Sequence, residues 1–337
     1  MRLAQIMAGA HHGGAELFFE RLCIALNRAG VTVLPVIRRD AERAGRLAAA
    51  GLRPVALRFG GPLDLLTRPR LARALDAFAP RVAVSWMSRA TDHMPSGHFV
   101  HVARLGGPYP LRHYRRCDHL IGNTQGLVSW FRGNGWSEPR THYLPNFTAD
   151  HAGVAPATDL PPGQPRLLAL GRLHRDKGFD VLIKAFARLP FATLLIAGEG
   201  PEEASLRKLA AALGVAGRVH FLGWRNDAPS LLRTADIFVC PSRREPLGNV
   251  VLEAWSAGCP IVASDAAGPS ELIAPGSDGL LVPREDSAAL AASTAELIAN
   301  PDRAAQLAAA GRARFLAAFA EAPVIARWLR FLESVRR

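Results

Sequence analysis

Residues 241–265 read PSRREPLGNVVLEAWSAGCPIVASD. A short apolar run, 237–240, stands directly before them and reads as a strand. The strand delivers a loop carrying Glu245, Gly248 and Asn249. A helix over 249–257 follows, is ended by Gly258, and leads into a second strand at 261–264. This is one strand–helix–strand unit, and such units build a parallel sheet. The amides opening the helix, Asn249 and Val250 among them, stand at the positive end of the helix dipole and suit a phosphate. Gly248 lets backbone come close to a ligand. Glu245 faces whatever the phosphate carries, and Glu253, about one turn into the helix, suits sugar hydroxyls. The E-x(7)-E spacing therefore fits a nucleotide sugar. The same spacing also fits two solvated surface acids.

The alternation extends in both directions. Strands are predicted at 167–170, 193–197 and 219–222, with 261–264 as the last. Helices are predicted at 179–189, 201–213, 228–234, 288–298, 303–319 and 323–335. Upstream, strands are predicted at 3–8, 31–37, 82–87, 99–103 and 120–122, with helices at 15–29, 63–79 and 124–131. Residues 152–165 break the pattern with their prolines and read as an interdomain linker. The class is α/β: two sandwiches in tandem, with a cleft expected between them. Ligands of such sheets bind beyond the carboxyl ends of the strands.

The 337 residues suffice for two domains. A hydrophobic share of 49% and a charged share of 21% exclude disorder. No apolar run is long enough to span a bilayer, and the start reads as a strand rather than a signal peptide. Four scattered cysteines without a CxxC pair suggest a reducing cytoplasm. Of the formal net charge of +12, residues 1–150 carry an excess of ten, from 20 arginines and no lysine against 10 acids. That asymmetry points to an anionic partner such as a membrane surface. Zinc-finger spacing, an RNP-like aromatic strand and a basic heptad helix are all missing from the sequence, so nucleic acid is not the expected partner.

Three further loops follow predicted strands. In LGRLHRDKGFDVLIKAF (170–186), Gly171 turns the chain, and Arg172 and Lys177 present two cations suited to a diphosphate leaving group. In AGAHHGGAELFFERL (8–22), Gly13 and Gly14 open a helix beside His11 and His12. In HVARLGGPYPLRHYRRCDHLIGNT (101–124), His101 and Arg104 fall on or next to a strand. H-E-x-x-H, a paired-His site and a DxD-type acid pair do not occur, so no metal and no cofactor are expected. G-x-S-x-G is also missing, which disfavours an elbow serine.

Residues 166–285 resemble the donor-binding half of the retaining family 4 glycosyltransferases of bacteria, which have the GT-B fold. The resemblance rests on LGRLHRDKGFDVLIKAF, LLIAGEGPEEASL, VHFLGW, the E-x(7)-E segment 245–273 and DGLLVP, in that order. GGAELFFERL and YLPNF are similar to the family's first-domain markers. The resemblance implies two Rossmann-like domains facing a central cleft. An acceptor domain would span 1–155, a linker 156–165, a donor domain 166–320, and a helix at 321–337 would return to the first domain. It implies that Arg172 and Lys177 hold the diphosphate, Glu245 the donor sugar and Glu253 the ribose. Gly13 and Gly14 would approach the phosphate, and Arg104, His101 or His12 would stand on the acceptor side. It further implies a nucleotide-sugar donor, retention at the anomeric carbon, no divalent metal, and a glycan or glycolipid acceptor of the lipopolysaccharide type. Together with the basic first half, this places the enzyme in the cytoplasm, peripheral on the inner face of the membrane. A soluble small-molecule acceptor and a catalytically silent protein that binds nucleotide or glycan are the alternatives.

Overall fold

The computed structural model describes residues 1–11, 13–61 and 64–335. These divide into two compact units, Met1–Asn146 with Glu321–Arg337, and Phe147–Ala320.

The first unit contains β1 (Arg2–Met7), α1 (Gly14–Arg28), β2 (Thr32–Arg38), α2 (Ala41–Ala49), β3 (Val55–Leu57) and α3 (Thr67–Phe78). It continues with β4 (Val82–Trp86), α4 (Met87–Asp92), β5 (Val100–Leu105), β6 (His119–Gly122), α5 (Gln125–Gly133) and β7 (Thr141–Tyr143). All seven strands are parallel, in the order β3-β2-β1-β4-β5-β6-β7. β4 and β5 are buried along their whole length, as strands covered on both faces must be.

The second unit contains β8 (Arg166–Leu170), α6 (Phe179–Phe186), β9 (Thr193–Ala197), α7 (Glu203–Ala212), β10 (Val219–Phe221), α8 (Ala228–Thr234) and β11 (Ile237–Cys240). It continues with α9 (Asn249–Ala257), β12 (Ile261–Ser264), α10 (Ala267–Leu272), β13 (Leu280–Val282), α11 (Ser287–Ala299) and α12 (Pro301–Ala318). Its six parallel strands run β10-β9-β8-β11-β12-β13. Alternate residues feed two cores. Leu167, Ala169, Leu194 and Ile196 join one, and Leu168, Leu195, Ala197 and Phe238 join the other. The last helix, α13 (Glu321–Ser334), belongs to the first unit, where Phe331 stacks 4.7 Å from the His142 ring of β7.

Several elements differ from the sequence expectation. β12 is not the last strand: Leu280–Val282 adds β13 beside it, a three-residue run too short to show a period. α2, β3, α4 and β7 were not expected and are likewise short or polar. α3 starts at Thr67 rather than 63, because Asp64 accepts the Thr67 amide and hydroxyl and the Gly60 amide, fixing a turn there. Pro69 then falls in the first turn, where its missing N–H costs little. The proline-rich stretch read as a linker packs with the second unit. The Ala157 amide donates to the Ser230 carbonyl (3.2 Å) and the Thr234 hydroxyl (2.7 Å) of α8.

Candidate active site

The strand order decides which loops are neighbours. In the second sheet β8 lies beside β11. Their carboxyl ends flank the point where the strand order reverses, which is where open α/β sheets hold ligands. The loop after β8 (171–178) and the loop after β11 (241–248) are therefore adjacent. The Asp176 carbonyl accepts the backbone N–H groups of Arg243 (2.8 Å) and Arg244 (3.0 Å). Gly178, at φ +66°, opens α6 where a Cβ would collide with the Pro241 carbonyl oxygen. Across this seam Lys177 Nζ donates to Glu245 Oε2 at 2.5 Å, both side chains being mostly buried.

Arg243 clasps the seam from behind. Its guanidinium donates twice to Asp180 (2.7 and 2.8 Å), once to Glu285 (2.6 Å) and once to the Arg175 carbonyl (2.9 Å). The hydrogen bonds from Arg243 hold the Asp180 carboxyl below its usual range. Sequence reasoning missed Arg243. Its only signal was the arginine pair, Arg243 and Arg244, directly before the loop acid Glu245.

Beneath the second loop, the Gly268 N–H donates to the Glu245 carbonyl at 2.7 Å. A Cβ on Gly268 would stand 2.6 Å from that oxygen and from the Gly248 nitrogen. Gly248, at φ +79°, is the N-cap of α9. Asn249 and Val250 form its first turn, whose amides have no partner within the helix. Glu253 lies further along α9, half-buried. Gly171, at φ +146°, brings its carbonyl against Gly198, where a Cβ has no room. Arg172 follows, exposed. The structure thus joins Lys177 directly to Glu245, with Arg172 on the first of these loops and Glu253 on the helix that follows the second.

In the first unit the loop after β1 is drawn tight. Glu16 folds back to accept the Ala10 amide at 2.9 Å and occupies the space where side chains on Gly9 or Gly13 would lie. Arg43 donates to the Ala10 and His11 carbonyls and pairs with Glu20. Gly14 is the first residue of α1, and His12 lies outside the described residues. Arg104 and His101 separate. Arg104, near the carboxyl end of β5, is 3% exposed, stacks on Trp86 (4.5 Å) and Phe18 (4.8 Å), and donates to Asn146 Oδ1 at 2.6 Å. Burial pushes its pKa down to about 9. His101, three residues earlier and so on the opposite face, is hydrogen-bonded to Ser85 Oγ at 2.9 Å. Burial lowers its pKa to about 4, leaving the ring neutral at pH 7.

Gly178→Ala tests the seam. A left-handed alanine colliding with Pro241 is expected to cost about 1–3 kcal/mol. Thermal melting checks this, and an unchanged melting temperature would disprove it.

Two Rossmann-like parallel sheets, each with ligand-facing loops after its strands, are the architecture of the GT-B fold. Residues 155–314 match the family model described as glycosyl transferases group 1. The chain is 34% identical over 335 residues to the lipopolysaccharide core biosynthesis glycosyltransferase LpsE of Rhizobium meliloti (strain 1021), covering 96% of each chain. It is 33% identical to LpsD of the same organism, over 98% of this chain and 97% of that one. The fold matches the Anabaena protein Alr3699/HepE, solved in complex with UDP-glucose, at a TM-score of 0.82 and 21% identity, covering 99% of this chain and 100% of that one. The chain belongs to the group 1 glycosyltransferase family.

Proposed function

We propose that this enzyme moves a hexosyl or related sugar from a nucleotide-sugar donor to a lipopolysaccharide core acceptor, with retention at the anomeric carbon. The observation that carries the donor reading is the Lys177–Glu245 pair beside the amino end of α9. A diphosphate there meets helix amides and two cations. Glu245 is left to face the sugar and Glu253 the ribose. The names of the full-length relatives LpsE and LpsD support the acceptor reading.

In the proposed step the acceptor hydroxyl oxygen bonds to the anomeric carbon while the bond from that carbon to the diphosphate oxygen breaks on the same face. The hydroxyl proton passes to the departing phosphate oxygen. Arg172 and Lys177 neutralise the charge that builds there, a role assigned to them rather than to a divalent ion.

A thermal-shift panel of UDP-, GDP-, ADP- and dTDP-sugars identifies the donor, since a ligand that prefers the folded state raises its melting point. Turnover on isolated core glycolipid in EDTA, with NMR of the product's anomeric proton, then tests the rest. Transfer only to free sugars would point to a soluble acceptor. Binding without turnover would point to a silent protein that binds nucleotide or glycan. Inversion or loss of rate in EDTA would overturn the mechanism.

We also assign the anionic inner membrane surface as the docking partner, on the cytoplasmic side. No helix among the described residues is long and apolar enough to cross a membrane. Leu65 and Leu66 are 81% and 51% exposed, held at the start of α3 by the Asp64 turn, with Arg58, Arg68, Arg70 and Arg73 exposed around them. Inserting a leucine yields about 1.5–3 kcal/mol, and each nearby arginine about 1 kcal/mol at an anionic surface. Leu65→Ser with Leu66→Ser should lower recovery on anionic vesicles at least tenfold in flotation. Equal recovery on neutral and anionic lipid would exclude this surface.

A further inference from the structure

The first unit carries an open cavity of about 480 Å³ away from the loops described above. Phe99 and Asp118, in its wall, stand just before β5 and β6, so the cavity lies at the amino ends of these strands. The Gly13 turn and Arg104 lie toward the opposite, carboxyl edge of the same sheet. Its size falls within the range of small-ligand sites.

Two arginines and two aspartates line the cavity, and among the described residues the arginines stand outside ion pairs. Arg112 and Arg116 are exposed on its wall, and neither has a carboxylate within ion-pair distance among the described residues. Arg116 is steadied by donating to Ser96 Oγ at 3.0 Å. The nearby acids are engaged elsewhere. Asp92 Oδ1 lies 2.8 Å from His113 Nδ1, and Asp118 accepts the His101 amide at 2.8 Å. Two guanidiniums outside any ion pair fit a phosphate, which accepts several charge-assisted hydrogen bonds. Phe99 offers an apolar wall, and the Asp92 carboxylate offers oxygen that accepts hydrogen bonds from hydroxyls.

We propose that this cavity is a second glycan site, taking a sugar residue that bears a phosphate monoester. Arg112 and Arg116 hold the phosphate, and the Asp92–His113 side holds hydroxyls. The site does not depend on the donor reading, since none of its residues belongs to the second unit.

The test is calorimetric titration of the whole chain with glucose 6-phosphate, glucose and inorganic phosphate, and flotation with phosphatidic-acid vesicles. Glucose 6-phosphate should bind at least tenfold tighter than either glucose or inorganic phosphate. The double variant Arg112→Gln, Arg116→Gln should lose that affinity at least tenfold while keeping the wild-type melting temperature. A double variant that binds as well as wild type overturns the site. Inorganic phosphate binding as tightly as the sugar phosphate overturns it as a glycan site. So does a double variant that loses vesicle binding but not sugar-phosphate binding, because the arginines then serve a lipid headgroup. A protein that binds glucose 6-phosphate here but no nucleotide sugar leaves this site standing and removes the donor reading instead.

Discussion

Glu245→Ala should lower kcat by about 10²–10³-fold, the usual cost of removing a preorganised polar group from a transition state. The donor KM should change little. Lys177 loses its partner in this variant, so its ammonium becomes fully available to a diphosphate. Nucleotide affinity is therefore expected to hold or rise while turnover collapses. Glu245→Gln, which preserves shape and removes charge, should fall nearly as far. The carboxylate sits on a loop whose backbone is held independently, by the Gly268 amide and by the Asp176 carbonyl, so melting should stay close to wild type. Steady-state kinetics beside a melting curve checks both parts. Undiminished sugar transfer by Glu245→Ala would remove the role assigned to this residue.

Arg243→Ala should act at a distance, through position rather than contact with substrate. The clasp loses four hydrogen bonds in one substitution, and Asp180 and Glu285 lose their cation. A net cost of about 1–2 kcal/mol is expected, lowering the melting temperature by roughly 3–6 °C. Lys177 and Glu245 then lose their fixed separation. Small misplacements of reacting groups cost about 10²-fold, so kcat/KM should fall by that order at temperatures where the variant is still folded. Arg243→Lys should restore little, since an ammonium cannot reproduce the two-pronged bond to Asp180. Glu285→Gln should be mild, because Glu285 is largely exposed.

The Asp180 pair also sets a sign for pH. Its folded-state pKa is depressed, so its contribution is present above the unfolded value near 3.9 and lost as pH falls through the lower folded value. The stability gap between wild type and Arg243→Ala should therefore shrink on acidification below about pH 4. A gap that widens there would show that the bond to Asp180 is not what Arg243 contributes.

Much of the fold was legible because its cues are local. α9 runs from Asn249 to Ala257, as the apolar spacing between Gly248 and Gly258 predicts. Both of those glycines take left-handed angles at the helix ends. What escaped was short or solvent-facing, such as β3, β7 and β13, whose three residues carry no period. The loop residues of the site were also legible by type. Lys177 and Glu245 were picked out as a cation and an acid following separate strands.

Their meeting was not legible. Lys177 and Glu245 are 68 positions apart, with β9, β10, β11 and the helices α6, α7 and α8 between them in the chain. They touch because the chain places β11 beside β8 rather than beside β10. The same holds for Arg243, an ordinary loop arginine until Asp180 and Glu285 arrive from other segments. His101 and Arg104, three residues apart in sequence, end on opposite faces of one strand. Periodicity and turn chemistry act over a few residues and are written in the sequence itself. Strand order is chosen by the burial of whole faces against one another, so only the folded sheet decides which distant side chains share a site.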